Sequence, residues 1–169
     1  MTSTPAAAAL VEPLRRQMTT LLALLAPLAD SACSVRPAEG WSIRETLSHL
    51  MGAEGATFLD GIHRIVRKDA PAVDVEPGLT YFHADRRDVA IGALLAAVVS
   101  QYRAIADVIA IASDETLARR AHIALLAQTP FGDRPTLGEW VTVIAGMHVA
   151  GHIADLQAQV GRMSNMVPS

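Results

Sequence analysis

The chain is short of several features that commonly give a protein its chemistry or its address. It has one cysteine, Cys33, so no disulfide can form within the chain and no thiolate cluster can bind a metal in it. A lone thiol after a helix reads as a small packing residue rather than a nucleophile. Aromatic residues make up only 4% of the 169 residues although 51% are hydrophobic, and alanine and leucine dominate the apolar set. That balance disfavours a β-sandwich and predicts an all-α protein. There is no surplus of positive charge: the formal net charge is −3 and the pI is near 6. Nucleic acid is therefore a poor partner, and the local basic run from Arg64 to Lys68 reads as a helix end. The apolar run Leu21 to Ala29 falls well short of the roughly 20 residues needed to cross a bilayer. Met1 to Ala9 lacks the charged start and continuous apolar core of a signal peptide. The expectation is a soluble cytoplasmic protein with no membrane partner.

The length fits a single domain spanning residues 1–169, able to bury a core without disulfides or a structural metal, so any bound metal is expected to be functional. Apolar residues recur at helical spacing in four stretches. The first runs from about Ala6 to Ala32 on Leu10, Leu14, Met18, Leu21, Leu25 and Leu28. Pro13 is tolerable there within a first turn, and Pro27 should kink or end the helix early. The second starts at the capping box Ser42-Ile43-Arg44-Glu45 and continues to about Lys68. The third covers about Ala84 to Ala112. The fourth starts at a second capping box, Thr136-Leu137-Gly138-Glu139, and runs to about Met163. Between the third and fourth, Arg119 to Arg134 reads as extended chain and turn, crossing the end of the bundle. The predicted architecture is a four-helix bundle with a short irregular or extended segment before the last helix.

The sharpest chemical signal is His148 and His152, four residues apart in an otherwise apolar helix. Residues i and i+4 share one helix face about one turn apart, so both imidazoles can point at one metal ion. The plainer alternative is that each ring hydrogen-bonds a carbonyl or carboxylate. Val149 stands where a zinc metalloprotease helix carries its glutamate base, which excludes that mechanism. A third ligand has to come from His49, His63, His83, His122 or a carboxylate. His49 and His63 are about 21 Å apart along one helix at roughly 1.5 Å per residue, so both cannot serve one ion.

The stretch Trp41-Ser42-Ile43-Arg44-Glu45-Thr46-Leu47-Ser48-His49-Leu50, followed about a hundred residues later by Glu139-Trp140 and His148 to His152, resembles the DinB-like metal-binding four-helix proteins. These include bacillithiol-using thiol S-transferases and mycothiol-dependent isomerases. The resemblance covers nearly the whole chain. It implies a divalent metal held by one histidine of the second helix and two of the last, at positions matching His49, His148 and His152. His49 itself lies away from the most apolar stripe of its helix, beside Thr46, Ala53 and Ala56, whose small side chains are read as lining a cleft. Glu54 lies on that stripe and is read as a buried partner for an arginine, or an outer group of the site. Asp155 is read as orienting His152 through its second ring nitrogen, or as touching the ion. His63, His83 and His122 are expected on the surface or in loops, Trp41, Phe58 and Trp140 in the core, and Arg86-Arg87 on the solvated face or start of the third helix, where its charge would attract an acidic thiol cofactor if it reached the cleft.

Three neutral imidazoles leave open positions on a divalent ion, zinc or nickel first, with iron, manganese and cobalt also within reach. The resemblance then implies a metal-dependent transferase that joins a low-molecular-weight thiol, bacillithiol or mycothiol, to a small electrophile. The alternatives are a small-molecule hydrolase, in which water takes the place of the thiol, and a stress-associated metal-binding or interaction protein without turnover. A homodimer is expected, because relatives often pair and such bundles present long apolar faces.

Overall fold

Thr4 opens the first helix: its hydroxyl accepts the Ala7 amide, and Pro5 takes the first helical position, where a missing N–H costs nothing. In the computed structural model, which describes residues 3–54, 56–73 and 84–165, this helix, α1, spans Pro5–Leu25. Pro13 thus lies in the interior of the helix rather than its first turn. The buried stripe of Ala7, Val11, Leu14, Met18, Leu21 and Leu25 outweighs the one backbone bond that Pro13 cannot make. Pro27 ends the helix as expected, and the chain makes one further turn, α2 (Asp30–Cys33). Cys33 is fully buried, and burial pushes its thiol pKa up, as a packing residue requires.

The second helix departs from expectation by breaking in two. The Ser42–Glu45 capping box opens α3 (Ile43–Met51), but Gly52 stops it with φ 74° and ψ −179°, a backbone region open in practice only to glycine. A further capping box, Thr57 with Asp60, opens α4 (Phe58–Arg67). Glu54 falls in the break and is exposed, so it is neither buried against an arginine nor part of a site.

The third helix starts later than its apolar pattern suggests. Ala84–Arg86 form a single 3-10 turn, and α5 runs from Ile91 to Ala110. Ala90 offers no capping side chain, and the Asp30 carboxylate of α2 supplies it instead by accepting the Ile91 amide at 3.0 Å. By length and composition α5 could cross a bilayer, yet Leu94, Leu95, Val98, Tyr102 and Ile105 lie in the protein core. A short turn, α6 (Asp114–Leu117), follows.

The extended segment is present as predicted. Backbone bridges pair Ala72 with His122 and Arg120 with Thr136, so this segment ties the chain after α4 to the start of the last helix. Among the described residues these isolated bridges are the extent of β-structure. The last helical run begins at the Thr136–Glu139 capping box with α7 (Leu137–Val143), widens into a π-helical segment over Ile144–Val149, and continues as α8 (Ala150–Asn165). Gln17 of α1 donates to the Ala145 carbonyl at 2.5 Å, tying the π segment to the first helix. α1, the broken α3–α4 arm, α5 and the run from α7 to α8 pack as a four-helix bundle, with α5 against both α1 and α3.

Candidate metal centre

His49 sits in the last turn of α3, and His148 and His152 sit on either side of the junction between the π segment and α8. The fold brings these three together although 99 residues separate the first two. Their nearest ligand nitrogens lie within 4.8 Å of one another, and Nε2 of His49 is 2.9 Å from Nε2 of His148. The ring centroids are 4.8–5.0 Å apart in all three pairs. All three are half-buried.

Burial also sets their protonation. Desolvation, reinforced by the neighbouring rings, pushes the His49 pKa down to about 4 and that of His148 to about 3. Desolvation lowers His152 as well, opposed by the Asp155 carboxylate. The site therefore presents neutral imidazoles at neutral pH, the form that binds a metal. His49 Nδ1 and His148 Nδ1 are buried with no hydrogen-bond partner among the described residues. Packing must therefore hold those two rings: Phe58 meets His148 edge-on at 5.0 Å, and Trp41 lies 4.8 Å from His49. Trp41 also stacks on His152 at 5.7 Å and 16°. Three converging uncharged nitrogens with no ammonium or guanidinium in the group are a donor set suited to a borderline divalent cation.

The end of α3 is fastened by a residue that the sequence placed elsewhere. Arg86, expected on a solvated face, is 9% exposed and donates to the Ser48 carbonyl at 2.8 Å, the Ser48 hydroxyl and the Gly52 carbonyl at 2.7 Å. It thereby adds donors to the carbonyl end of the turn that carries His49, where the Ser48 carbonyl also accepts the Gly52 amide. Its neighbour Arg87 is exposed, as expected.

The other predicted residues separate cleanly. Asp155 is exposed and stands outside the trio, acting on His152 through its charge without a hydrogen bond to it. His63 is half-buried on α4, and His122 is exposed and pairs with Asp133 at 3.3 Å. His83 lies outside the described residues. Trp140 is buried in the core as expected and Phe58 packs against that core, and both, with the half-buried Trp41, also line a cavity of about 400 Å³ that opens onto the three histidines. Leu125 and Leu126 of the crossing segment and Val73 complete much of its apolar wall. Ala53 and Ala56 line it too, which explains why His49 stands beside small residues. Among its described lining residues there is no carboxylate, lysine or arginine.

Among curated proteins none matches this sequence. Among solved structures the chain is similar to YfiT from Bacillus subtilis, described as a probable metal-dependent hydrolase with an unusual four-helix bundle topology. The TM-score is 0.76 over 97% of this chain and 91% of that one, at 15% identity, a likeness of fold. The sequence also matches the DinB superfamily over residues 14–159, from α1 almost to the end of α8. The chain belongs to the DinB superfamily.

Proposed function

We propose that His49, His148 and His152 hold a divalent metal, and that the protein uses it to activate a low-molecular-weight thiol for transfer to a small apolar electrophile. The observation that carries this reading is the convergence of three neutral imidazoles on an apolar cavity whose described lining residues include no other acid or base. A metal bound there supplies Lewis acidity, which lowers the pKa of a coordinated thiol or water toward neutrality. The chain's own part is to keep the imidazoles unprotonated by burial, to fix their rings with Trp41 and Phe58, and to exclude water from the electrophile. A cavity of about 400 Å³ suits a small molecule, and its walls favour an apolar one.

With no carboxylate among the cavity's described lining residues, thiol is favoured over water as the nucleophile, because none of those residues besides the histidines would accept protons from water or deliver them to a leaving group. Hydrolysis is the second reading, favoured by the description of YfiT as a probable metal-dependent hydrolase. The test is metal-restored protein assayed with bacillithiol, mycothiol and glutathione against a generic alkylating electrophile. Metal-dependent thiol consumption with a thioether product is expected. Solvent oxygen in the product would select hydrolysis, and no metal-dependent turnover of either kind would leave a binding protein.

A further inference from the structure

Trp140, Ile144, His148 and His152 follow one another at steps of four residues, and all of them line the apolar cavity. A regular α-helix does not let such a row face one way for long, because at roughly 100° per residue each step of four turns the row by about 40°. Three steps would carry His152 about 120° away from the direction of Trp140. The π-helical segment over Ile144–Val149 corrects this: closing from i to i+5, its wider turn advances less per residue and takes back part of the drift. His148 lies inside that segment and His152 just beyond it, so the segment sets how the two rings meet each other and the cavity.

Gln17 of α1 reaches into this segment, where its Nε2 donates to the Ala145 carbonyl at 2.5 Å. Ala145 stands three residues before His148, within the same wide turn. The other end of the amide gains nothing: Gln17 Oε1 is buried with no hydrogen-bond partner among the described residues. An unpaired buried acceptor is unfavourable, and a leucine of similar size would avoid it, so packing does not account for a glutamine here. What a leucine cannot supply is the donor. A side chain that inserts a hydrogen bond into the backbone ladder is a recognised way to hold a helix out of regular α geometry.

We propose that Gln17 is a positioning residue for the metal centre: by donating to the Ala145 carbonyl it holds the π turn open, and so directs His148 toward His49 and His152. Gln17 belongs neither to the histidine trio nor to the described lining of the cavity, and it acts through the backbone alone. The consequence for metal binding rests on the function proposed above, whereas the effect on the π turn and on the His148 ring does not.

Gln17→Leu removes the donor and the unpaired oxygen at nearly constant volume, and Gln17→Glu keeps the shape but sets an acceptor against the carbonyl. Crystal structures of the metal-free wild type and Gln17→Leu give the first readout. Without the donor the segment is expected to tighten toward α-helix, rotating His148 so that its Nε2 leaves hydrogen-bond distance of His49 Nε2, from which it lies 2.9 Å away in the wild type. Cobalt(II), whose visible bands report ligand geometry, gives the second. Its dissociation constant, measured by chelator competition, should rise about tenfold in Gln17→Leu and further in Gln17→Glu, with a shifted spectrum. Val11→Ala is the control: Val11 is buried on the same helix beside Leu10, which lies against Gly138 at the start of α7 and well before the π turn. It should lower the urea midpoint and leave cobalt affinity and spectrum unchanged. An unaltered π turn in Gln17→Leu, wild-type cobalt affinity and spectrum in both Gln17 variants, or an equal loss of affinity in Val11→Ala would overturn the proposal. Failure of the wild type to bind any divalent metal would instead remove the function proposed above, and the metal-free structures would still decide the role of Gln17.

Discussion

α3 brings one histidine to the site from the last turn of a short helix, whereas the run from α7 through α8 brings two from the middle of a long one. The short arm ends at Gly52, and its last carbonyls are gathered by the buried Arg86 guanidinium. The long arm is anchored on both sides of its histidines by buried apolar residues: Val141, Ile144 and Ala145 before them, Ile153 and Leu156 after. The turn carrying His49 thus adds directional hydrogen bonds at its end to the packing of Leu47 and Leu50, whereas the His148–His152 pair is packed on both sides. Loss of one polar contact should therefore disturb the short arm far more than loss of one methyl group disturbs the long one.

The largest expected effect erases the comparison by removing a ligand from either arm. His49→Ala and His148→Ala should each abolish stoichiometric metal binding, read by elemental analysis of protein purified without an affinity tag. Equal metal content in the wild type and both variants would overturn the site. Acid should reach the same end by protonation. Burial holds His49 and His148 neutral down to about 4 and about 3, whereas in the unfolded chain they protonate near the ordinary value of 6.5. The unfolded state therefore binds more protons between those values, and stability must fall as pH drops from about 6.5 toward 4. Metal-free protein should show a midpoint in urea that declines across that window. Metal occupancy should persist at pH 5.5 and be lost below about 4. A midpoint independent of pH between 6.5 and 4 would mean the rings are not desolvated as described.

Arg86→Ala tests whether the short arm is held as its hydrogen bonds indicate. The change takes the guanidinium's bonds from the Ser48 and Gly52 carbonyls, a loss of about 3 kcal/mol. Metal affinity should fall along with stability, because His49 lies in the released turn. Arg86→Lys should recover only part of both, since an ammonium lacks the planar fork that reaches Ser48 and Gly52 together. Stability lost without any change in metal affinity would show that the clasp supports the bundle and not the ligand.

The same contrast explains what could be read in the sequence. Four amphipathic stretches, two of the capping boxes and the extended crossing segment are local patterns, and all are present. The break between α3 and α4 was also written locally, in Thr57-Phe58-Leu59-Asp60 after Gly52, but a continuous apolar stripe masks it. The π segment around His148 follows no local pattern; it is tied to Gln17 of a helix more than a hundred residues away. The burial of Arg86 belongs to the same class. Its partners, Ser48 and Gly52, lie on another element, and nothing in Asp85-Arg86-Arg87 distinguishes the clasp from its exposed neighbour. The exposure of Asp155 was not legible either, because the helical wheel gives its direction but not where the core ends; it lines an open cleft with Gln159 and Arg162. The cavity walls likewise come from four separate stretches of chain, which sequence periodicity cannot bring together.

Gly52→Ala probes the short arm at its smallest adjustable point. An added Cβ would meet Thr57 Cα at 3.5 Å, ordinary van der Waals contact, so space is not the obstacle. The obstacle is the backbone, since φ 74° with ψ −179° is open in practice only to glycine, and an alanine held there should lose about 2 kcal/mol. The alternative for the variant is to relax the turn by letting α3 run on toward α4. That would rotate Gly52 away from Arg86 and carry the last turn with it. The two outcomes differ in their readout: strain alone lowers the urea midpoint and leaves metal affinity intact, whereas relaxation spares stability and weakens the metal. Strain is the expected result, because the Thr57–Asp60 capping box fixes the start of α4 independently and Arg86 holds the Gly52 carbonyl from the other side.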